Sequence, residues 1–221
     1  MKNLRKEVGR WVQFGVFIAV WVSVIAATHR SLLIDWDAIK EIPHTIVLFG
    51  ILYLLFEKWG WRLSVFHPWL VPHPDLEGTW DGEVRSTWTN PETGTGVAPI
   101  PSKLVIKHNF ASISCVLLTG ESQSYSVTAQ INEDDDSDVL QLSYVYTNKP
   151  RARVRFRSEI HDGAAILTIK EEDGLLLDGE YWTSRKTTGE MTFKRVSRKT
   201  SIPVMREDGT HPVTEKTSLT S

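Results

Sequence analysis

The apolar residues of this chain are spread unevenly, and that asymmetry limits what it can fold into. Two uncharged apolar stretches, Trp11–Ala27 and Ile42–Phe56, fall within the first sixty residues, and nothing like them recurs. At about 1.5 Å rise per residue, the first is just long enough to cross roughly 30 Å of hydrocarbon. The second is shorter, and Trp59 and Trp61 extend it with rings suited to the headgroup layer. The plainer alternative is a pair of helices buried in a soluble domain. A signal peptide is a rival for the first stretch, because Lys2, Arg5, Lys6 and Arg10 precede it and Ile25-Ala26-Ala27 offers small residues for cleavage. Signal cores run about 7–15 residues, and this one is longer. The sequence therefore predicts a two-helix transmembrane hairpin over residues 1–66.

Charge sets the expected orientation. Lys2, Arg5, Lys6 and Arg10 precede the first span and Lys58 and Arg62 follow the second, whereas the loop over 28–41 offers only Arg30 and Lys40. The positive-inside rule then puts the N-terminus and everything after the hairpin in the cytoplasm, with the hairpin in a cell membrane. Cys115 is the only cysteine, so no internal disulfide can form, as suits a reducing compartment. Gly15, Ala19, Ser23 and Ala27 recur every fourth residue as a ridge of small side chains. Such ridges let helices approach closely in lipid, either for self-association or for docking against the second span. Gln13 is the polar intruder within the first span, and interfacial snorkelling accounts for it; without a deep charge, an ion pathway has little support.

Three prolines between Pro68 and Pro74 make residues 67–75 a semi-rigid spacer. From Leu76 the pattern changes to short strands, expected near 78–88, 102–109, 112–119, 124–132, 138–147, 152–161, 164–172, 176–184 and 189–197. Apolar side chains alternate through Tyr125, Val127, Ala129 and Ile131, through Leu140, Leu142, Tyr144 and Tyr146, and through Val154, Phe156 and Ile160. Turn signals stand at Asn90–Gly94, Glu133–Ser137, Asn148–Pro150, Asp162-Gly163 and Asp173-Gly174. Strands at this spacing, with no helical period between them, predict an all-β domain over 76–197. Its expected form is an antiparallel closed barrel of about eight strands, lipocalin-like. The Ser-, Thr- and Lys-rich residues 198–221 are expected to be disordered.

No catalytic motif is present: there is no phosphate loop, nucleophile elbow or metal spacing, so neither enzyme chemistry nor a metal or cofactor is expected. The acidic run Asp134–Asp138 reads as a solvated turn, since it lacks the later glutamate of a calcium loop. Three features could carry binding. In a closed barrel the first and last strands are neighbours, so Arg195 could cap the indole of Trp80, a structural closure similar to that of lipocalin-like barrels. The hairpin Gly179–Arg195 gathers Tyr181, Trp182, Arg185, Lys186, Thr187 and Thr188. Those groups could stack bases and bind phosphate, or the aromatics could fill the core while the charges solvate a turn. Arg151, Arg153, Arg155 and Arg157 alternate with Val154 and Phe156, which on a strand puts four guanidiniums on the outer face. That face suits anionic lipid, a neighbouring subunit's acidic turn or, as the favoured reading, protection of a strand edge. A net charge of −2 argues against polymeric nucleic acid as a partner.

The two-span hairpin, the Pro-rich spacer, the opening strand Leu76-Glu-Gly-Thr-Trp-Asp-Gly-Glu-Val-Arg-Ser86 and the Gly179–Arg195 hairpin together resemble a known family. It is the two-transmembrane β-barrel effectors of bacterial CBASS anti-phage defence, CD-NTase-associated proteins with a cyclic-nucleotide-recognition barrel. The resemblance spans roughly residues 10–196. It implies that a cytoplasmic barrel binds a cyclic dinucleotide, the chain forms a homo-oligomer, and clustered hairpins breach the inner membrane so that the infected cell dies. With that family in view, Tyr181, Arg185, Lys186 and Thr187 become the expected ligand contacts, joined by Ser86 and Trp88 on the adjoining strand. The ridge Gly15, Ala19, Ser23 and Ala27 becomes the expected oligomerisation surface. The competing classes are a membrane-anchored barrel for an apolar ligand such as a lipid, and a structural adaptor that uses the Arg151–Arg157 face.

Overall fold

The computed structural model describes residues 15–16, 18–26, 42–133 and 139–200, which belong to two compact units divided between Pro74 and Asp75. In the first unit, residues 18–26 are helical and a 17-residue helix spans Ile42–Lys58. Ile46, Val47, Ile51, Leu54 and Leu55 are exposed along that second helix. No described helix is long and apolar enough to cross a membrane. Gly15, Ala19 and Ser23 are all exposed, and the Ser23 hydroxyl donates to the Ala19 carbonyl at 2.8 Å. Ala27, Gln13, the four leading basic residues and the 28–41 loop lie outside the described residues.

The proline segment is more than an extended link. Two 3-10 turns, Gly60–Arg62 and Ser64–Phe66, lead into it, and the Leu70 and Val71 amides both donate to the Phe66 carbonyl. Trp61 and Val71 are fully buried, and Phe66 packs edge-on against Phe56 at 5.1 Å between ring centroids. Just after the second helix, Trp61 and Val71 are thus buried within this unit while Trp59 and Trp69 stay exposed.

The second unit is a closed antiparallel barrel in which every strand pairs with its neighbours in sequence and the last pairs with the first. Its strands are β1 (Gly78–Ser86), β2 (Ile100–His108), β3 (Ile113–Thr119), β4 (Ser122–Glu133), β5 (Leu140–Pro150), β6 (His161–Glu172), β7 (Gly174–Thr183) and β8 (Thr188–Ser197). Closure leaves no exposed edge ladder, and eight strands enclose just enough width for side chains or one small ligand. One end is filled solid. Trp80, Ile106, Leu142, Leu167, Leu177 and Phe193 are all fully buried there, each large side chain contributing on the order of 1.5–3 kcal/mol. The segment before β1 closes this end. Buried Leu76 donates its amide to His108 Nδ1 at 3.1 Å and accepts the Trp80 indole N–H at 3.1 Å. Arg195 lies 5.7 Å from the Trp80 ring centroid and donates to the Asp75 carbonyl at 2.7 Å. In the tail, the Thr79 hydroxyl donates to the Lys199 carbonyl; residues 201–221 lie outside the described residues. Cys115 faces the interior on β3, and burial pushes its thiol up to about 12, so it carries no thiolate at neutral pH.

Several local expectations give way to the structure. Tyr125 and Val127 do not share a face with Ala129 and Ile131. A bulge between Ser126 and Thr128 reverses the alternation, so Val127 is 73% exposed while Ala129 and Ile131 pack on the core. The Ser126 hydroxyl uses the resulting gap to take the Cys115 amide. The strand expected over 152–161 does not form: residues 152–160 are in no strand, and His161 opens β6. A 3-10 turn over Ala152–Val154 opens a crossing segment in which Val154 is buried and Phe156 is 85% exposed. The arginines therefore do not form a ladder on an outer face. Asp162-Gly163 is not a turn but lies within β6, where Gly163 pairs with Tyr146 and a Cβ would overlap that phenol ring. Likewise Asn148–Pro150 ends β5 instead of turning. The acidic run Asp134–Asp138 lies outside the described residues.

Candidate ligand-binding site

At the end opposite Trp80 the barrel interior is open, with a cavity of about 580 Å³. That is the size of a small-molecule site. Two cross-strand tyrosine–glycine pairs shape its wall. Tyr146 lies against Gly163 and Tyr181 against Gly189, and at either glycine any Cβ would strike the opposing ring. The missing side chains let both rings lie close along the wall. Burial raises the pKa of both phenols, so they stay neutral and can donate hydrogen bonds. Met191 also lines the cavity, and the buried Tyr144 hydroxyl donates to its sulfur at 3.7 Å.

The rim is polar and carries charge. The tight β7–β8 hairpin is closed by the Thr183 amide to the Thr187 carbonyl at 2.9 Å and the Lys186 amide to the Thr183 carbonyl at 3.0 Å. It presents Arg185 to the cavity, where Nη1 donates to the Ser158 hydroxyl at 3.2 Å. From the crossing segment comes Arg157, whose Nη2 stands 2.5 Å from Glu121 Oε1. Ser124 and Asn148 point inward and share a buried hydrogen bond of 2.9 Å.

Of the expected contacts, Tyr181, Arg185, Thr187, Ser86 and Trp88 all line this one cavity, and Ser86 hydrogen-bonds Tyr181. Lys186 does not line it. It sits at the hairpin tip with a left-handed φ of 61° and an exposed side chain. Sequence reading missed Arg157, Glu121, Tyr146, Asn148 and His161. The inward parity of Leu142, Tyr144 and Tyr146, carried two residues further, reaches Asn148. A polar residue in phase with an apolar ladder marks where a barrel interior opens. Among the described residues, no cluster of three or more His, Cys, Asp or Glu side chains could hold a metal ion.

His161 gives the site a pH signature. Its pKa lies below the usual 6.5, chiefly through burial, opposed by the Glu159 carbonyl, lowered further by Arg185 and raised by Asp162. It is therefore neutral at pH 7. An anionic ligand would favour the imidazolium, so binding should take up a proton. Affinity for a dianion should rise as pH falls from 7.5 to 5.5, by up to about tenfold for each unit the ligand raises this pKa. Titrations at the two pH values check this, and the dependence should flatten in His161→Asn.

An eight-stranded barrel packed solid at one end, with an aromatic and arginine-bearing cavity at the other, has the form of a binding domain for a small anionic ligand. Residues 71–195 match the family described as Cap15, cyclic dinucleotide receptor domain, and the chain belongs to that family of CBASS effectors. It is also similar to CD-NTase-associated protein 15 of Staphylococcus schleiferi, at 25% identity over 163 residues, covering 74% of this chain and 82% of that protein. The matched family is described as a receptor domain.

Proposed function

We propose that this chain is the membrane-anchored effector of a CBASS anti-phage system. Its barrel binds a cyclic dinucleotide in the cavity at the open end. Binding drives homo-oligomerisation of N-terminal transmembrane helices, which disrupts the inner membrane and aborts the infection. The N-terminus and the barrel lie in the cytoplasm.

One observation carries the ligand half: two guanidiniums, Arg157 and Arg185, and two phenols, Tyr146 and Tyr181, line one cavity. A cyclic dinucleotide presents two phosphodiesters and two base faces, the groups these side chains serve. An apolar ligand would instead displace water from Ser86, Asn148, Thr183 and both arginines while offering none of them a partner beyond those they already have in the protein. For the membrane half, the support is the exposure of the apolar side chains Ile46–Leu48 and Ile51–Leu55, which water would penalise, and the exposed ridge Gly15, Ala19 and Ser23. The ligand can drive assembly only to the extent that it binds the assembled state more tightly.

Two linked measurements test the proposal. The full chain in detergent is titrated with cyclic di-AMP, cyclic di-GMP and cyclic GMP–AMP, then reconstituted into dye-loaded vesicles. Tight binding to one nucleotide, and dye release on its addition, are expected. Ala19→Leu should keep the affinity and block release, because a branched side chain on the ridge holds the helices apart. Flat titrations would remove the receptor reading, and release by an unimpaired Ala19→Leu would remove the ridge from the assembly.

A further inference from the structure

We infer that Glu121 is a charge filter in the cavity wall: by cancelling one of the two arginine charges it halves the electrostatic advantage that a more highly charged triphosphate would hold over a dianionic nucleotide. The inference rests on the receptor reading above and adds a selectivity device to the same site. Glu121 occupies the turn between β3 and β4 and lines the cavity. Its side chain is 9% exposed and pairs with Arg157 at 2.5 Å, while its backbone carbonyl accepts the Arg151 amide at 2.8 Å. One residue thus anchors both ends of the arginine-bearing crossing segment, and its carboxylate occupies the guanidinium that a ligand phosphate would seek.

Fold stability gives little reason to bury this pair, since such ion pairs commonly do no better than apolar side chains of the same volume. What it does is set the charge a ligand meets. Arg157 and Arg185 supply two positive charges and Glu121 removes one, leaving the cavity at +1 with His161 neutral. Coulomb energy is linear in ligand charge, so a fixed carboxylate opposes a −4 triphosphate about twice as strongly as a −2 cyclic dinucleotide. Discrimination by a repulsive group costs some affinity for the right ligand and more for the wrong one. A receptor working amid nucleoside triphosphates gains by that exchange.

The test titrates full-length wild type and Glu121→Gln with ATP and with the same three cyclic dinucleotides. Glu121→Gln should tighten the best cyclic dinucleotide by roughly threefold and ATP by roughly tenfold, so that the ratio of the two dissociation constants falls about threefold. Arg185→Gln, which removes a cation from the cavity and leaves the Glu121–Arg157 pair intact, should move that ratio the other way; should Glu121→Gln fail to fold, an unmoved ratio in Arg185→Gln would overturn the filter, because charge would then not set the discrimination. An unchanged ratio, or weaker binding of every probe by Glu121→Gln, would overturn the filter while leaving the receptor intact. A wild type that binds no cyclic dinucleotide would overturn both.

Discussion

Truncating Arg185 to alanine should weaken cyclic dinucleotide binding by about 15- to 150-fold while leaving the melting temperature within a degree or two of wild type. A hydrogen bond to a charged group contributes about 1.5–3 kcal/mol, and a guanidinium meeting a phosphodiester at a partly enclosed rim belongs to that class. The fold should not notice the loss. Backbone hydrogen bonds between Thr183, Lys186 and Thr187 close the hairpin, and the Arg185 side chain is exposed with a 3.2 Å bond to Ser158. Exposed substitutions of that kind usually stay within about 0.5 kcal/mol. The same truncation at Arg157 would be harder to interpret, because it removes an ion pair from the Glu121 carboxylate at 9% exposure and loosens the crossing segment as well. Titration of the full chain beside a thermal melt checks the prediction. An unchanged dissociation constant would take the β7–β8 hairpin out of the site.

That hairpin was legible in the sequence because its chemistry is local: an aromatic strand end, a tight turn and a cation fall within seven residues. The rest of the site is not local. Arg157 reaches the cavity only because the chain from Arg151 to Ile160 crosses the barrel mouth, and a run alternating Arg with Val and Phe satisfies strand periodicity equally well. The 3-10 hydrogen bonds that decide the matter leave no mark on a two-residue period. Glu121 is one acidic residue in a two-residue turn, and only the fold brings it to Arg157. The barrel itself could be read from alternation and turn spacing, since a closed meander needs nothing more. Its exceptions are where side-chain identity and geometry part company. The β4 bulge turns Tyr125 and Val127 outward, and Gly163 imitates a turn residue while giving room to the Tyr146 ring. Asn148 likewise imitates a turn residue, because an inward polar group makes sense only once the interior is known to open above it.

At the other end of the barrel, Trp80→Ala should lower the melting temperature by about 10–30 °C. Trp80 is fully buried and pairs in register with Leu104 on β2 and Arg195 on β8, so it sits where the barrel closes. Large-to-small changes of a buried tryptophan cost about 3–5 kcal/mol. Two further losses accompany the cavity. The Leu76 carbonyl is deprived of the indole N–H it accepts at 3.1 Å, and the Arg195 guanidinium loses the ring 5.7 Å beneath it. Against a total stability of about 5–15 kcal/mol, this removes a large share. Because the damage lies at the solid end, the cavity of the remaining folded molecules should still bind. Ligand at about 100 times its dissociation constant should return about 2.7 kcal/mol, and with it much of the lost melting temperature. Far-ultraviolet circular dichroism melts with and without the tightest cyclic dinucleotide measure both effects. A fall of only a few degrees would mean that Trp80 does not hold the closure, and a large fall that ligand cannot recover would mean the two ends of the barrel are not independent.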